Sequence, residues 1–172
     1  MKNDVMLTAF ALGVVTGMRS LRGIAALAVE QKNDDSARAW LRSHPYWKGK
    51  RRQPIADALR SPMLANALRT GALAEGVADK QVDMPDRIDP IPLLGRVLVG
   101  GLVGAAVAEL SGAEDKLAPA AAGAVGALGG AYGAWYARRW VVDKYDVDDK
   151  FVGMAEDAIA FGASKLLARR LI

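Results

Sequence analysis

The chain has 172 residues, enough for one domain, with 52% hydrophobic residues and a net charge of +4. It has no Cys and one His, His44, which excludes a disulfide framework, thiolate metal sites and the Ser-His and multi-His arrangements of many enzymes. The modest positive charge forms no dense basic stripe, so nucleic acid is not expected as a partner. No nucleophile–base pair or metal-ligand set is visible, and we expect neither an enzyme nor a bound cofactor.

The N-terminal segment is apolar but interrupted. An apolar run covers residues 5–18, Arg19 and Arg22 follow, and a second apolar run covers residues 24–29. Two arginines in the middle argue against a cleaved secretory signal. We predict one helix of about 25 residues here, either continuous or broken near residues 19–23.

Residues 30–60 form a polar, basic segment that also contains Trp40, Tyr46 and Trp47. Aromatic and basic side chains together are typical of a segment at the lipid headgroups, on the cytoplasmic side of a membrane. A solvated loop with incidental aromatic residues is the alternative interpretation.

Two further helices, joined by a connector, are predicted over residues 62–110. Residues 62–78 begin with a proline, a helix-entry signal, and are predicted to form a helix. Residues 81–92 contain three prolines and are predicted to be a connector. A short helix is then predicted over residues 97–110.

The strongest indication of a membrane protein is the segment 117–137, which spans 21 residues without one charge. About 20 apolar residues are needed to cross a bilayer core. A buried Ala/Gly-rich helix of a soluble protein is the alternative interpretation. Aromatic and basic residues that suit a membrane interface close the segment: Trp135, Tyr136, Arg138, Arg139 and Trp140.

Glycines four residues apart recur in the predicted helices. Each Gly costs about 1 kcal/mol relative to Ala in a soluble helix, whereas in a membrane small residues at this spacing let helix backbones approach closely. The glycines predicted to pack helices in this way are Gly13, Gly17, Gly100, Gly104, Gly126, Gly129, Gly130 and Gly133.

A last helix is predicted over residues 151–167. The whole prediction is an all-α integral membrane bundle of about four to five short Gly/Ala-rich helices. It forms a single domain over residues 1–172, with the basic segment at about 30–60 as an interfacial or cytoplasmic loop. The weak bias of basic residues favours an external N-terminus, and a dual-topology dimer is the alternative.

Two segments share the pattern A-L-G-x-x-x-G-x-x-x-x-R, over residues 11–22 and 127–138. A second match places Glu75 and Glu156 in corresponding helices of the two halves. Because one predicted helix lies between the halves, the repeat would be inverted, as in many transporters. Low-complexity Ala/Gly sequence also produces such matches by chance.

Residues 87–96 read R-I-D-P-I-P-L-L-G-R, which resembles the R-x-D-P-x-P-L-x-G-R signature of a bacterial membrane family known as domain of unknown function 4126. The resemblance covers nearly the whole chain: residues 16–20 are similar to an early T-G-x-R segment, residues 75–80 to E-x-x-x-D-K and residues 155–157 to A-E-D. Two departures are the long basic segment and Gln81, which replaces a proline. The resemblance implies a multi-pass protein of the bacterial inner (cytoplasmic) membrane and brings no established activity.

Ionisable groups inside membrane spans are costly and therefore mark candidate functional sites. The carboxylates could bind a cation or carry protons, and the arginines could neutralise them or hold an anionic lipid headgroup. Simple structural pairing is the favoured alternative, because buried charges are usually paired. The candidate intramembrane charged site comprises Arg19, Arg22, Arg69, Glu75, Glu156 and Asp157.

The proline-rich segment is predicted to form a structural clamp. An arginine at a helix start opposes the helix dipole, so Arg96 needs a nearby carboxylate or phosphate, for which Asp79, Asp83 and Asp86 are candidates. The two prolines would fix an extended turn, and the glycine would permit close approach. The clamp residues are Asp79, Arg87, Asp89, Pro90, Pro92, Gly95 and Arg96.

Two classes of function remain. One is a small transporter or permeation protein for an ion, small solute or lipid, and an inverted repeat with water-accessible carboxylates would favour it. The other is a non-catalytic structural or accessory subunit, which an exposed glycine surface and fully paired charges would favour. The expected partners are the lipid bilayer and either further copies of the chain or a larger membrane complex.

Overall fold

The computed structural model describes residues 2–33, 54–78 and 88–170, and the regular elements within these ranges are all α-helices. The prediction of an all-α chain is confirmed at this level. In chain order the helices are α1 (Lys2–Met18), α2 (Arg22–Asn33), α3 (Pro54–Leu59), α4 (Pro62–Ala78), α5 (Pro90–Leu110), α6 (Leu117–Tyr145) and α7 (Asp149–Arg169).

The N-terminal apolar segment is broken rather than continuous. Helix α1 ends at Met18, and α2 begins at Arg22 after a short turn. Beyond the turn, Gly23 packs so closely against α1 that a Cβ atom there would overlap the Thr16 side chain and lie 3.1 Å from the carbonyl oxygen of Leu12. Glycine at this position therefore lets α2 fold back along α1, and the two helices form a hairpin.

The basic segment predicted at 30–60 is only partly described. Its first residues belong to the end of α2, and Pro54–Leu59 forms the short helix α3. Residues 34–53 lie outside the described part of the chain, as do Trp40, Tyr46 and Trp47. Its predicted position at the headgroups stays a prediction.

Helices α5 and α6 extend furthest beyond their predicted limits, while α7 gains two residues at each end. Helix α5 begins at Pro90 rather than at residue 97, because a proline is accepted in the first helical turn, where its missing N–H needs no partner. Helix α6 continues past residue 137 to Tyr145 and ends at Asp146, whose backbone is left-handed with φ 50°. The amide of Asp146 donates to the carbonyl oxygen of Val142 at 3.0 Å and so closes the last turn.

Helices α1, α5 and α6 form the most closely packed part of the bundle. A Cβ atom on Gly13 would overlap the carbonyl of Gly123, and one on Gly17 would overlap the carbonyl of Ala127. Residue numbers rise together on α1 and α6 along this contact, so the two helices run parallel. Helix α5 packs against α6 in the opposite direction, because Gly104 lies against Pro119 at the start of α6.

The α1–α6 contact is reciprocal. Gly126 lies against the carbonyl of Phe10, and Gly130 lies against the carbonyl of Val14. Each contact residue on α6 corresponds to one on α1 whose number is lower by 113. Gly126 corresponds to Gly13 in this way, and Gly130 corresponds to Gly17. An approximate two-fold axis parallel to the helices therefore relates α1 to α6 at their crossing.

The predicted inverted repeat is wrong for these two helices. An inverted repeat would place α1 and α6 antiparallel, and the shared sequence pattern relates them by 116 residues rather than by 113. The physical reason is the extra reversal between α1 and α2. It adds one crossing of the bundle, so the chain reaches α6 in its original direction.

Among the described helices, only Pro90–Leu110 is both long and apolar enough to cross a membrane, and a core helix of a soluble protein can meet the same criterion. The segment 117–137, predicted as the clearest span, does not meet it, because glycine, tyrosine and tryptophan contribute little hydropathy. Helix α1 is apolar but too short. By length and composition, the described residues contain one candidate membrane span.

Candidate functional site: a charge cluster at the α1–α2 turn

A buried ion pair joins the α1–α2 turn to α7. The Nε atom of Arg19 lies 2.8 Å from Oδ1 of Asp157, and the two side chains are 3% and 20% exposed. A terminal nitrogen of Arg22 lies 4.0 Å from the same oxygen. Arg19, Arg22 and Asp157 all belong to the charged site predicted from the sequence, and the structure brings them together. Because a buried carboxylate is costly without a cation, Arg19 and Asp157 hold the turn against α7.

Arg96 comes from α5 and closes the C-terminal end of α1. Its NH1 group donates to the carbonyl oxygens of Gly17 at 3.2 Å and Met18 at 3.4 Å. The last carbonyls of a helix have no partner within the helix and carry its negative dipole end, so a guanidinium is well placed there. The expected partner was a carboxylate or phosphate, whereas these described partners are backbone carbonyls. Asp79, Asp83 and Asp86 lie outside the described residues.

The structure describes the side chain of Glu156 but not that of Glu75, two further members of the predicted charged site. Glu156 is 7% exposed on the buried face of α7, next to Asp157. Glu75 belongs to α4, but its side chain is outside the described set, and so is Arg87.

The predicted clamp around the prolines has a different local structure. Pro90 and Pro92 lie in the first turn of α5 rather than in an extended turn, and Asp89 is the N-cap residue without a side-chain cap. Gly95 is exposed, and no atom of the described residues would lie within 4 Å of a Cβ atom there. Its predicted role in close approach therefore has no counterpart within the described part of the chain. Only Arg96 of the described clamp residues is buried, because it alone faces α1.

The predicted packing glycines separate into two groups. Six of them lie where a Cβ atom would overlap a neighbouring helix: Gly13, Gly17, Gly100, Gly104, Gly126 and Gly130. Gly129 and Gly133 are exposed, with no neighbouring atom within 4 Å of an added Cβ in the described structure. Packing within the chain is therefore wrong for these two, because the face of α6 that meets α1 is the one carrying Gly126 and Gly130.

A cavity of about 280 Å³ lies beside the charge cluster, between α2, α4 and α7. Arg22 lines it from α2, and Arg69 lines it from α4, so the two arginines of the predicted site share one space. Its remaining described lining residues are Ala25, Ala26, Val29, Glu30, Ala72, Leu73, Phe161, Ser164 and Lys165.

Glu109 is a buried carboxylate that sequence analysis did not single out. Its Oε1 accepts hydrogen bonds from the backbone amides of Ile55 at 2.9 Å and Ala56 at 3.0 Å, in the first turn of α3. Its Oε2 accepts from Nζ of Lys116 at 2.7 Å. Glu109 thus ties α3 to the end of α5. The available signal is a lone acid at the end of an apolar helix whose other charged residue is Arg96.

Replacing Glu109 by alanine is expected to release α3 from the bundle. The change removes a carboxylate that accepts two amide hydrogen bonds and an ammonium contact, and hydrogen bonds to charged groups contribute about 1.5–3 kcal/mol each. Hydrogen exchange of the backbone amides of residues 55–59 should accelerate strongly. The control is Glu114→Ala, which removes an exposed carboxylate from the turn after α5. Equal protection of α3 in both variants would contradict the assigned role of Glu109.

Comparison with family models, with curated proteins and with solved structures finds no match to this chain. The resemblance of residues 87–96 to domain of unknown function 4126 therefore stays a prediction.

Proposed function

We propose that this chain is a multi-pass protein of a bacterial inner membrane, in which it serves as a non-catalytic structural or accessory subunit. The observation that carries the membrane location is that charged side chains are buried inside the bundle while large apolar side chains are exposed on its outside. Arg19 and Glu109 are each 2% exposed, whereas Ile91 is 86% exposed and Leu7 is 67% exposed. Water favours burial of the apolar side chains and exposure of the charged ones.

The outer face of α5 illustrates this distribution. Ile91, Leu94, Leu98 and Leu102 are all more than half exposed and lie three or four residues apart, so they form one continuous apolar stripe. The opposite face carries Gly100, Gly104 and other small residues against α6. Lipid acyl chains would cover such a stripe, whereas in water it would be a large exposed apolar patch.

Two features support the role of a subunit rather than that of a transporter. First, the carboxylates at the α1–α2 turn and at the end of α5 already have cationic partners within the chain: Asp157 with Arg19 and Glu109 with Lys116. Neither therefore offers a vacant, water-accessible site for an ion. Second, α1 and α6 run parallel and so are not related as in an inverted repeat. An inverted repeat would have favoured a transporter that works by alternating access.

The surface proposed for the partner is the exposed small-residue face of α6. It consists of Ala121, Val125, Gly129, Gly133 and Ala137, which are spaced four residues apart and all exposed. On the adjacent face of the same helix, the same spacing brings backbones into contact inside the bundle. We propose that a transmembrane helix of another subunit packs here in the same way.

Transport of a small solute, ion or lipid is the second candidate function. The cavity beside the charge cluster favours it, because Arg22, Arg69 and Lys165 line a space that an anionic solute could enter. Glu156, which is 7% exposed on α7, is the carboxylate whose part in such a mechanism can be tested.

The proposal is tested by purifying the tagged full chain from its native membrane in a mild detergent. We expect the chain to stay in the membrane pellet after alkaline carbonate extraction and to elute with a partner subunit at fixed stoichiometry. Gly133→Leu should release that partner, because the leucine fills the proposed contact face. Gly162→Leu is the matched control, since Gly162 on α7 also has open space around it.

Two outcomes would contradict the proposal. Release of the chain by carbonate would exclude an integral membrane protein. Elution as a single species, together with solute flux in liposomes that falls in Glu156→Gln, would favour the transporter.

A further inference from the structure

The cavity between α2, α4 and α7 has an excess of positive charge. Three of its described lining residues are cationic, Arg22, Arg69 and Lys165, and one is acidic, Glu30. Glu30 is also engaged outside the cavity lining, because its Oε1 lies 3.5 Å from Nε of Arg169. The described lining therefore carries more positive than negative charge, which favours an anion.

Arg22 is incompletely paired for a side chain that is 15% exposed. Its Nε is buried and has no hydrogen-bond partner in the described structure, and its ion pair with Asp157 is long at 4.0 Å. Its guanidinium also lies over the ring of Phe161, 5.8 Å from the centroid. A guanidinium has five N–H donors, and leaving them unpaired away from water is costly. An anion in the adjacent cavity would satisfy them.

The exposed rim of the cavity includes apolar side chains. Leu73 on α4 and Phe161 on α7 both line the cavity, and each is 55% exposed. Two of the cations, Arg69 and Lys165, are exposed as well. Ser164 also belongs to the lining, and its hydroxyl donates to the carbonyl oxygen of Phe161 at 3.0 Å. Cationic and apolar side chains thus lie side by side, which suits a ligand with an anionic group and an attached apolar part.

The size of the cavity limits what can enter. Its volume of about 280 Å³ is at the small end of ligand sites, which typically span about 300–1,000 Å³. A phosphate group with its ester substituents fits such a space, while acyl chains would have to lie outside, against Leu73 and Phe161. Basic pockets between membrane helices bind lipid phosphates by this chemistry.

We propose that this cavity binds a phosphate group, with Arg22, Arg69 and Lys165 as its cationic partners. The apolar rim points to an anionic phospholipid as the source of the phosphate, and a soluble phosphate compound is the other source with the same chemistry. The lipid source rests on the membrane location proposed above, whereas the phosphate chemistry does not.

The test uses the full chain in a mild detergent and native mass spectrometry. The chain is titrated with dioleoyl phosphatidylglycerol, with zwitterionic dioleoyl phosphatidylcholine and, separately, with inorganic phosphate. We expect phosphatidylglycerol to bind more tightly than phosphatidylcholine. The variant Arg69→Gln/Lys165→Gln should weaken that binding at least about tenfold, the factor that corresponds to the loss of one charge-assisted hydrogen bond.

The matched control is Arg139→Gln/Lys150→Gln, which removes the same two residue types from exposed positions outside the cavity. Arg22→Gln probes the third cation. If Arg22→Gln does not fold, Arg69→Gln/Lys165→Gln keeps the test valid, because both of its residues are exposed. Binding of inorganic phosphate alone, with the same dependence on Arg69 and Lys165, would support a soluble source of the phosphate. Equal binding of both lipids, or binding unaffected by the cavity variants, would overturn the proposal. Carbonate extraction tests the membrane location separately.

Discussion

Replacing Gly130 by alanine is expected to lower the free energy of unfolding by about 3 kcal/mol, near the upper end of the cost of overpacking. A single added methyl group would overlap the carbonyl of Val14, which is backbone and cannot move aside as a side-chain end can. The change would force α1 and α6 apart along their whole crossing. Gly17→Ala should have a similar effect, because Gly17 occupies the equivalent position on α1.

The neighbouring residue supplies the matched control. No atom of the described residues lies within 4 Å of a Cβ added at Gly129, so Gly129→Ala should be neutral or should stabilise the chain by up to about 1 kcal/mol through helix propensity. The measurement is reversible unfolding in mixed micelles at increasing denaturing detergent, followed by far-UV circular dichroism. Equal effects of the two substitutions would mean that α1 and α6 do not cross as described.

The glycine spacing is sufficient to predict close helix packing but not which face of α6 makes it. Residues 126–133 read G-A-L-G-G-A-Y-G, so two glycine pairs with the same spacing overlap in the sequence. Their positions are separated by three residues, or about 60° around the helix. The rotation that selects Gly126 and Gly130 depends on the simultaneous fit of α6 to α1 and α5. No local pattern contains that information.

The direction of α6 relative to α1 depends on one turn. A continuous and a broken N-terminal helix are both compatible with the sequence. The choice between them reverses the orientation of every later helix relative to α1. The break is stabilised by groups far away in the chain: Arg96 closes the end of α1, and Asp157 binds Arg19. Charged residues at these positions are visible in the sequence, but their pairing across the bundle is not. The contact of α3 with Glu109 is harder still to predict. Its partners are backbone amides, which every residue except proline carries, so no residue type marks them in the sequence.

Separating Arg19 from Asp157 is the second change with a large expected effect. Among the described residues, Arg19→Leu leaves the Asp157 carboxylate with only the long contact to Arg22. Breaking a buried ion pair by removing one partner typically costs about 3–5 kcal/mol. The hairpin of α1 and α2 should then detach from α7. The measurement is the free energy of unfolding in the same micelles, combined with hydrogen exchange of residues 19–25.

A double-mutant cycle shows whether the cost comes from an unpaired buried charge. If it does, Arg19→Leu/Asp157→Leu should be less destabilised than Arg19→Leu alone, because no charge is left without a partner. The control is Arg138→Leu, which breaks the Arg138–Asp149 pair at side chains that are 21% and 57% exposed and should cost less than about 1 kcal/mol. If Arg19→Leu cost no more than Arg138→Leu, the cluster at the α1–α2 turn would be hydrated. Water-accessible carboxylates would then favour the transporter over the structural subunit.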